Sequence, residues 1–370
     1  MTIKALYPTV RPTLNLDFAK TKALDPRVTF TRASTATFVG SNGLIQTAAS
    51  GAARFDHNPE TGESLGLLLE EERTNRVLSS QSLPFVINPT YWTVTNLSTG
   101  APNGEGFARV NCVSFSATTL TFNYDVSGLV SGSSVLTVSL YARSNDTNVQ
   151  LGLGNPDTVI LGTTPALTSE WVRYSGTFTW SGSNVIRFFR SVGSISAGQS
   201  FDVCMVSIEE GSFPTSYIPT VASTVTRAAD VASMTGTNFS SWYRQSEGTW
   251  LINFANDAAK QGAFRGVLSL GGNNTPRIQG NSVVGYGGSL SFTPTALTKA
   301  GLAYGSTEGR AVNGSVTSGA GGTIDIETYV DIGTGASSSP ASYMLSTSIA
   351  RLTYYPVRLP DAQLQALTAT

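Results

Sequence analysis

Charge is scarce in this chain. Charged residues make up 13% of its 370 positions, and 23 Lys and Arg nearly balance 24 Asp and Glu, for a formal net charge of -1. No basic block exists, so binding to a nucleic-acid backbone has no electrostatic basis. No apolar run approaches the ~18 residues of a membrane-spanning helix, so membrane insertion is not expected. The opening MTIKALYPTVRP has no apolar core of a secretory leader, and none is expected. The single histidine, His57, is the one base available to a Ser-His-Asp triad, and no G-x-S-x-G elbow accompanies it. It reads as an exposed loop residue beside the Pro59–Gly62 turn. Two cysteines cannot build a four-ligand zinc site. Cys112 and Cys204 lie in the strand-like runs ARVNCVSF and FDVCMVSI and read as buried thiols, with a disulfide as the alternative.

Carboxylates also fail to make a catalytic pair. Glu70, Glu71 and Glu72 are adjacent, and adjacent side chains do not face each other across a glycosidic bond. They read as a solvated exit from the Leu65–Leu69 run, paired to Arg73 or Arg76, and Glu209-Glu210 reads the same way. No catalytic residue is assigned, and the chain is read as a non-enzyme. Oxygen-rich turns such as Asn145-Asp146-Thr147 lack EF-hand spacing. Asp202, opening a strand, is the better candidate for a structural calcium.

What is abundant is Gly, at 37 residues, together with Ser, Thr and Asn alternating with apolar residues. That composition indicates an all-β chain, and its length indicates more than one core. Four regions follow. Residues 1–78 are a small irregular β N-terminal region with few core positions, which therefore needs a neighbour. Residues 79–220 hold eight strand patterns at even spacing, a jelly-roll-like antiparallel sandwich. In Leu136 to Arg143 the faces separate: Leu136, Val138, Leu140 and Ala142 inward, Thr137, Ser139, Tyr141 and Arg143 outward. Residues 221–234 are a small-residue linker. Residues 235–370 form a second antiparallel sandwich. Its strands include Leu297 to Tyr304, Ala311 to Val316 and Ser348 to Tyr355. It closes with a short helix, DAQLQALT, started by Pro360 and Asp361.

A sugar presents C–H groups on one face and hydroxyls at its edge, so it asks for flat apolar side chains flanked by amides or guanidinium groups. Tyr141, Arg143, Gln150 and Arg190 are candidates on a shared polar face of the first sandwich. Trp242, Tyr243 and Tyr286 are candidates in the second.

The run PTLNLDFAKTKALDPRVTFTRAST, then GLIQTA, then RFDHNPETGESLGLLLEEERTN, resembles the N-terminal region of tailed-bacteriophage tail-fibre and head-spike-fibre proteins. Tyr91-Trp92-Thr93, SLYARS, SEWVRYSGTFTW and FDVCMVSIEEGSFPTSYIPT look like jelly-roll carbohydrate-binding modules. EGTWLINF, AVNGS and IARLTYYPVRLPDAQLQALT look like a concanavalin A-like, laminin G-type sandwich. The resemblance implies a virion protein exposed on the particle surface. It would contact other virion proteins through its N-terminal region, form a homotrimer, and bind host surface polysaccharide. A decoration protein with purely structural contacts is the alternative, and a glycan depolymerase a third reading.

Overall fold

The computed structural model describes residues 6–81, 89–114, 121–125, 128–130, 134–154, 160–163, 165–180, 185–190, 195–255, 266–271, 277–279, 281–293, 295, 297–322, 326–334, 344 and 346–369. Of 121–123, 153–154, 160–163 and 185–190 it describes the backbone. The architecture is all-β, with paired antiparallel sheets, as the composition indicates.

The chain divides into two units. Unit 1 comprises Met1–Gly43, Thr47–Glu72 and Ala228–Thr370, and unit 2 comprises Leu44–Gln46 and Arg73–Arg227. The N-terminal region is therefore no separate body. Its strands Leu14–Asp17 and Ser64–Leu69 both pair with Thr347–Tyr355, end to end along one edge. The other edge of Thr347–Tyr355 pairs with Gly248–Ala255. Thr29–Thr31 pairs with Val231–Thr235, a strand that lies where a linker is expected. The small N-terminal core is completed by the same chain, which removes the packing reason for expecting a trimer.

Unit 1 has two sheets around one core. The larger runs Ser315–Ala320, Thr307–Val312, Leu297–Tyr304, Gly248–Ala255, Thr347–Tyr355, Ser64–Leu69 and Arg54–His57, with Leu14–Asp17 beside Thr347–Tyr355. The smaller runs Thr29–Thr31, Val231–Thr235, Tyr329–Ile332, Gly266–Leu270, Arg277–Gln279, Ser282–Val284 and Ser289–Ser291. Trp250, Ile252, Leu302 and Leu352 from the first meet Met234, Leu268, Val330 and Ile332 from the second. Each such side chain contributes about 1.5–3 kcal/mol by leaving water. Leu67, Leu68 and Leu69 are all buried, which explains why that strand shows no alternation. One expected strand, Ala311 to Val316, is instead a hairpin. Asn313 and Gly314 take φ of 46° and 82°, as a tight two-residue turn requires. The closing helix, Asp361–Thr368, buries Leu364 as its spacing predicts.

Four of the buried charged residues of unit 1 form one network. Asp230 Oδ1 accepts from Arg32 Nη1 at 3.0 Å, and its Oδ2 from Arg54 Nη2 at 2.5 Å and the Glu70 amide at 2.9 Å. Arg54 Nη1 donates to Glu70 Oε2 and to the Thr37 carbonyl, both at 2.8 Å. Glu70 and Glu71 are thus buried, against the expectation of a solvated exit, and Glu70 pairs with Arg54. Glu72 is exposed. His57 is also buried, at 4% exposure, with Nδ1 3.0 Å from the Val39 carbonyl oxygen.

Unit 2 is a sandwich of a five-stranded and a four-stranded sheet. The first runs Val172–Thr179, Val135–Arg143, Ser200–Glu210, Phe107–Cys112 and Trp92–Leu97. The second runs Thr121–Asp125, Val185–Arg190, Gly152–Gly154 and Ile160–Thr163. Leu136, Val138, Leu140 and Ala142 face the core between them, as their alternation predicts. Cys112 and Cys204 are free and buried.

Two substitutions test this account. Gly66 has φ +96°, and a Cβ there would lie 2.1 Å from the Ile349 carbonyl oxygen. Gly51, at φ +73°, has nothing within 4 Å. Gly66→Ala is expected to lower stability by about 2 kcal/mol more than Gly51→Ala in urea unfolding. Asp230→Ala leaves the buried Arg32 without its carboxylate and Arg54 with Glu70 alone, and is expected to cost about 3–5 kcal/mol in the same measurement.

Candidate functional site

Alternation puts Tyr141, Arg143, Ser139 and Thr137 on the outer face of the five-stranded sheet, as expected, but that face is not open surface. Arg143 Nε donates to Asp202 Oδ2 at 3.0 Å, and its guanidinium lies 4.6 Å from the Trp171 ring centroid and 5.2 Å from that of Phe107. Arg109 takes both oxygens of the same carboxylate, at 2.7 and 3.0 Å. Asp202 is thus held by two guanidinium groups, and the calcium expected there is replaced by ion pairs. Tyr141 packs on Cys204 and Met205. Burial raises the Cys204 thiol well above its ordinary value.

The rest of the face is covered by the returning segment. Thr215 donates its amide and hydroxyl to the buried Glu209, whose carboxyl is pushed up chiefly by desolvation. Arg173 reaches the Thr215 carbonyl and Ser139 Oγ. Glu209 is therefore interior rather than solvated, while Glu210 pairs with Arg76 at the surface.

Arg190 belongs to the other sheet, and Gln150 lies outside the strands. Gln150 precedes Gly152–Gly154, between the core residues Val149 and Leu151. Arg190 pairs with Gly152, and its side chain lies outside the described residues. The four residues do not share one face, because the period-2 pattern tells in from out within a strand but not which sheet the strand joins.

Trp242, Tyr243 and Tyr286 are likewise corrected. Trp242 is 5% exposed and donates Nε1 to the Asn238 carbonyl. Tyr243 stacks on Phe239 at 4.4 Å between ring centroids and meets Tyr304 and Tyr354. Tyr286 donates to Glu327 Oε1 at 3.0 Å, with its ring edge-on to Tyr304. These rings belong to one aromatic cluster, Trp242 buried and Tyr243 and Tyr286 half-buried against it.

Unit 2 does have an open cleft, of about 310 Å³, lined by Ser79, Gln81, Asn96, Leu97, Gly106, Phe107, Thr220 and Val221. It sits at the edge strand Trp92–Leu97. Leu97 pairs with Phe107. Gly106 is required beside them, since a Cβ would lie 2.3 Å from the Leu97 carbonyl oxygen. The floor is fixed by a lock between the two segments that enter and leave the sandwich. Ser80 and Thr220 exchange hydrogen bonds at 2.8 and 3.0 Å, and Ser80 Oγ meets Tyr217 Oη at 2.6 Å. Gln81 Nε2 donates to the Gly106 carbonyl at 2.6 Å, and its Oε1 accepts from Asn103 at 2.9 Å. Asn96 is exposed, with no side-chain hydrogen bond among the described residues. Val221 is 85% exposed at the rim. The lining carries no charge. Leu97, Phe107 and Val221 supply apolar surface, and the amides and hydroxyls supply hydrogen bonds at its edges. That combination suits a neutral, hydroxylated ring. Sequence reasoning missed it because Ser79 and Val221 lie 142 positions apart and are joined by the Ser79 hydroxyl donating to the Val221 carbonyl. The one local signal is the closing run FPTSYIPT.

No known family matches the sequence, and no curated protein does. Among solved structures, the CBM40 of Ruminococcus gnavus IT-sialidase bound to α2,3-sialyllactose is similar over 36% of this chain and 88% of its own, at 17% identity and TM-score 0.30. The CBM22-1 xylan-binding domain of Paenibacillus barcinonensis Xyn10C is similar over 37% and 92%, at 15% identity and TM-score 0.30. Trypanosoma rangeli sialidase is similar over 88% and 60%, at 11% identity and TM-score 0.28. Likenesses this low assign neither ligand nor activity to the chain.

One carboxylate in unit 1 has an electrostatic signature of its own. Burial pushes Asp331 up from its ordinary 3.8 to about 6. The flanking strands Val231–Thr235 and Gly266–Leu270 carry no charged residue to oppose this. Between about pH 4 and pH 6 the folded chain holds a proton that the unfolded chain has released, so stability falls as pH rises through that window. Asp331→Asn is expected to flatten that slope and, after allowance for solvent screening, to raise stability at pH 7 by about 1 kcal/mol, read by denaturant unfolding across pH.

Proposed function

We propose that this protein is a glycan-binding β-sandwich protein of a tailed-phage virion, acting as a fibre- or spike-type adhesin without catalysis. The observation that carries glycan binding is the uncharged cleft of unit 2, with Asn96 unpartnered among the described residues and Val221 exposed at its rim. Binding needs no chemistry beyond this: the apolar walls cover a C–H face, and Asn96, Gln81, Ser79 and Thr220 exchange hydrogen bonds with the hydroxyls. Single protein–sugar contacts are weak, so several copies on one particle would supply the strength. The virion reading is supported by the wording of residues 12–76. A surface built of Ser, Thr, Asn and Gly is compatible with life outside the cell, but equally with the alternative of a purely structural decoration protein.

Full-length protein added in excess to host cells is expected to slow adsorption of the phage that carries it. Asn96→Ala and Val221→Asp, both at exposed positions, are expected to keep the fold and weaken that competition about tenfold or more. Competition that is absent for the intact protein, with no retention on host polysaccharide, would leave the decoration reading in its place.

A further inference from the structure

The smaller sheet of unit 1 carries a second arrangement that the cleft does not explain. Ser233, Asp331, Ser269 and Arg277 stand side by side in register across four neighbouring strands. Their chain neighbours Ala232, Met234, Val330, Ile332, Leu268, Leu270 and Ile278 all face the core, so alternation turns these four to the outer face. Tyr329 lies on the same face, two residues from Asp331. Its ring rests against the Gly271 backbone: a Cβ on Gly271 would come within 2.6 Å of the ring. That glycine makes room for a half-buried aromatic ring on an otherwise polar surface.

Asp331 and Arg277 are each half-buried, and neither has a hydrogen-bond or ion-pair partner among the described residues. At Arg32, Arg54, Glu70 and Asp230 in the same unit, buried charge is paired. Here the carboxylate and the guanidinium are held two strands apart, about 9.6 Å between backbones at ~4.8 Å per strand, with the buried Ser269 between them. Partial desolvation without a partner is unfavourable for both groups. Folding alone does not require that arrangement; a ligand that pairs with both groups would relieve it.

We propose that this outer face binds a carboxylated glycan. Arg277 takes the sugar carboxylate through its planar fork of N–H donors. Asp331, acceptor-only when ionised, receives hydroxyls of the neighbouring ring, and Tyr329 offers its apolar face to ring C–H groups. A neutral glycan would leave Arg277 unpaired, and a simple cation would engage Asp331 alone. The carboxylate of one residue with the hydroxyls of the next satisfies both. The site extends glycan binding from neutral to acidic sugars, but it uses different residues in a different unit. Failure at either place leaves the other standing.

The test is titration of the full-length protein with oligogalacturonate, oligoguluronate and hyaluronate fragments, each beside its carboxyl-reduced form, by isothermal calorimetry. At least one acidic oligosaccharide is expected to bind, and its carboxyl-reduced form about tenfold more weakly. Arg277→Gln is expected to erase that difference. Asp331→Asn is expected to weaken both forms while keeping the fold. No binding of any acidic fragment at millimolar concentration would overturn the proposal. So would binding that survives Arg277→Gln with its acid preference intact, or equal competition by a zwitterionic peptide.

Discussion

Asp230 is the point on which unit 1 depends. It is the third residue after the chain returns from unit 2, and it is wholly buried between Arg32 and Arg54. The two arginines come from separate pieces of the N-terminal region, and Glu70 closes the ring from a third. A buried carboxylate this crowded by donors is tolerable only if every partner is present. The network therefore behaves as a latch. The C-terminal part of unit 1 cannot bury Asp230 without the first seventy residues, and they cannot bury Arg32 and Arg54 without Asp230. The sheets obey the same logic, since Thr347–Tyr355 receives two N-terminal strands along one edge.

Unit 2 shows the converse problem, a sheet with two covered faces. Its inner face is ordinary hydrophobic core. Its outer face is sealed by polar side chains around Glu209 and by the Arg–aromatic layer over Phe107 and Trp171. Polar residues on a strand mark the side away from the core, but whether that side is wet depends on what the rest of the chain lays over it. Here the returning segment covers it, and open surface is left at the sandwich edge, where the cleft forms.

The two proposed binding surfaces divide the chemistry between the units. The cleft offers neutral amides, hydroxyls and apolar wall. The outer sheet face of unit 1 offers one anion and one cation held apart beside an aromatic ring. In a chain with so few charges, an Asp and an Arg two strands apart, without a side-chain partner among the described residues, stand out against the paired network around Asp230. A protein meeting a cell surface of mixed neutral and acidic polysaccharide would have use for both.

The sequence by itself determined the β class, the core-facing residues of Val135–Arg143, the strand Leu297–Tyr304 and, to within one residue, Thr347–Tyr355, and the closing helix. It also marked both cysteines as buried thiols. Each of these is a local matter of alternation, capping or burial tendency, and needs only a few neighbouring residues to be read. The tertiary structure alone decided the rest. It built the N-terminal region into the sheets of unit 1, buried His57, Glu70 and Glu209, gave Asp202 to two arginines, placed Arg190 on a different sheet from Tyr141 and Arg143, and left Gln150 outside the strands. It turned Trp242, Tyr243 and Tyr286 inward, and it brought Ser79 to Val221 and Asp331 within two strands of Arg277. The physical reason is the same in every case. Strand pairing and burial of charge are settled between residues tens to hundreds of positions apart, and the pattern within one strand carries no information about its partner.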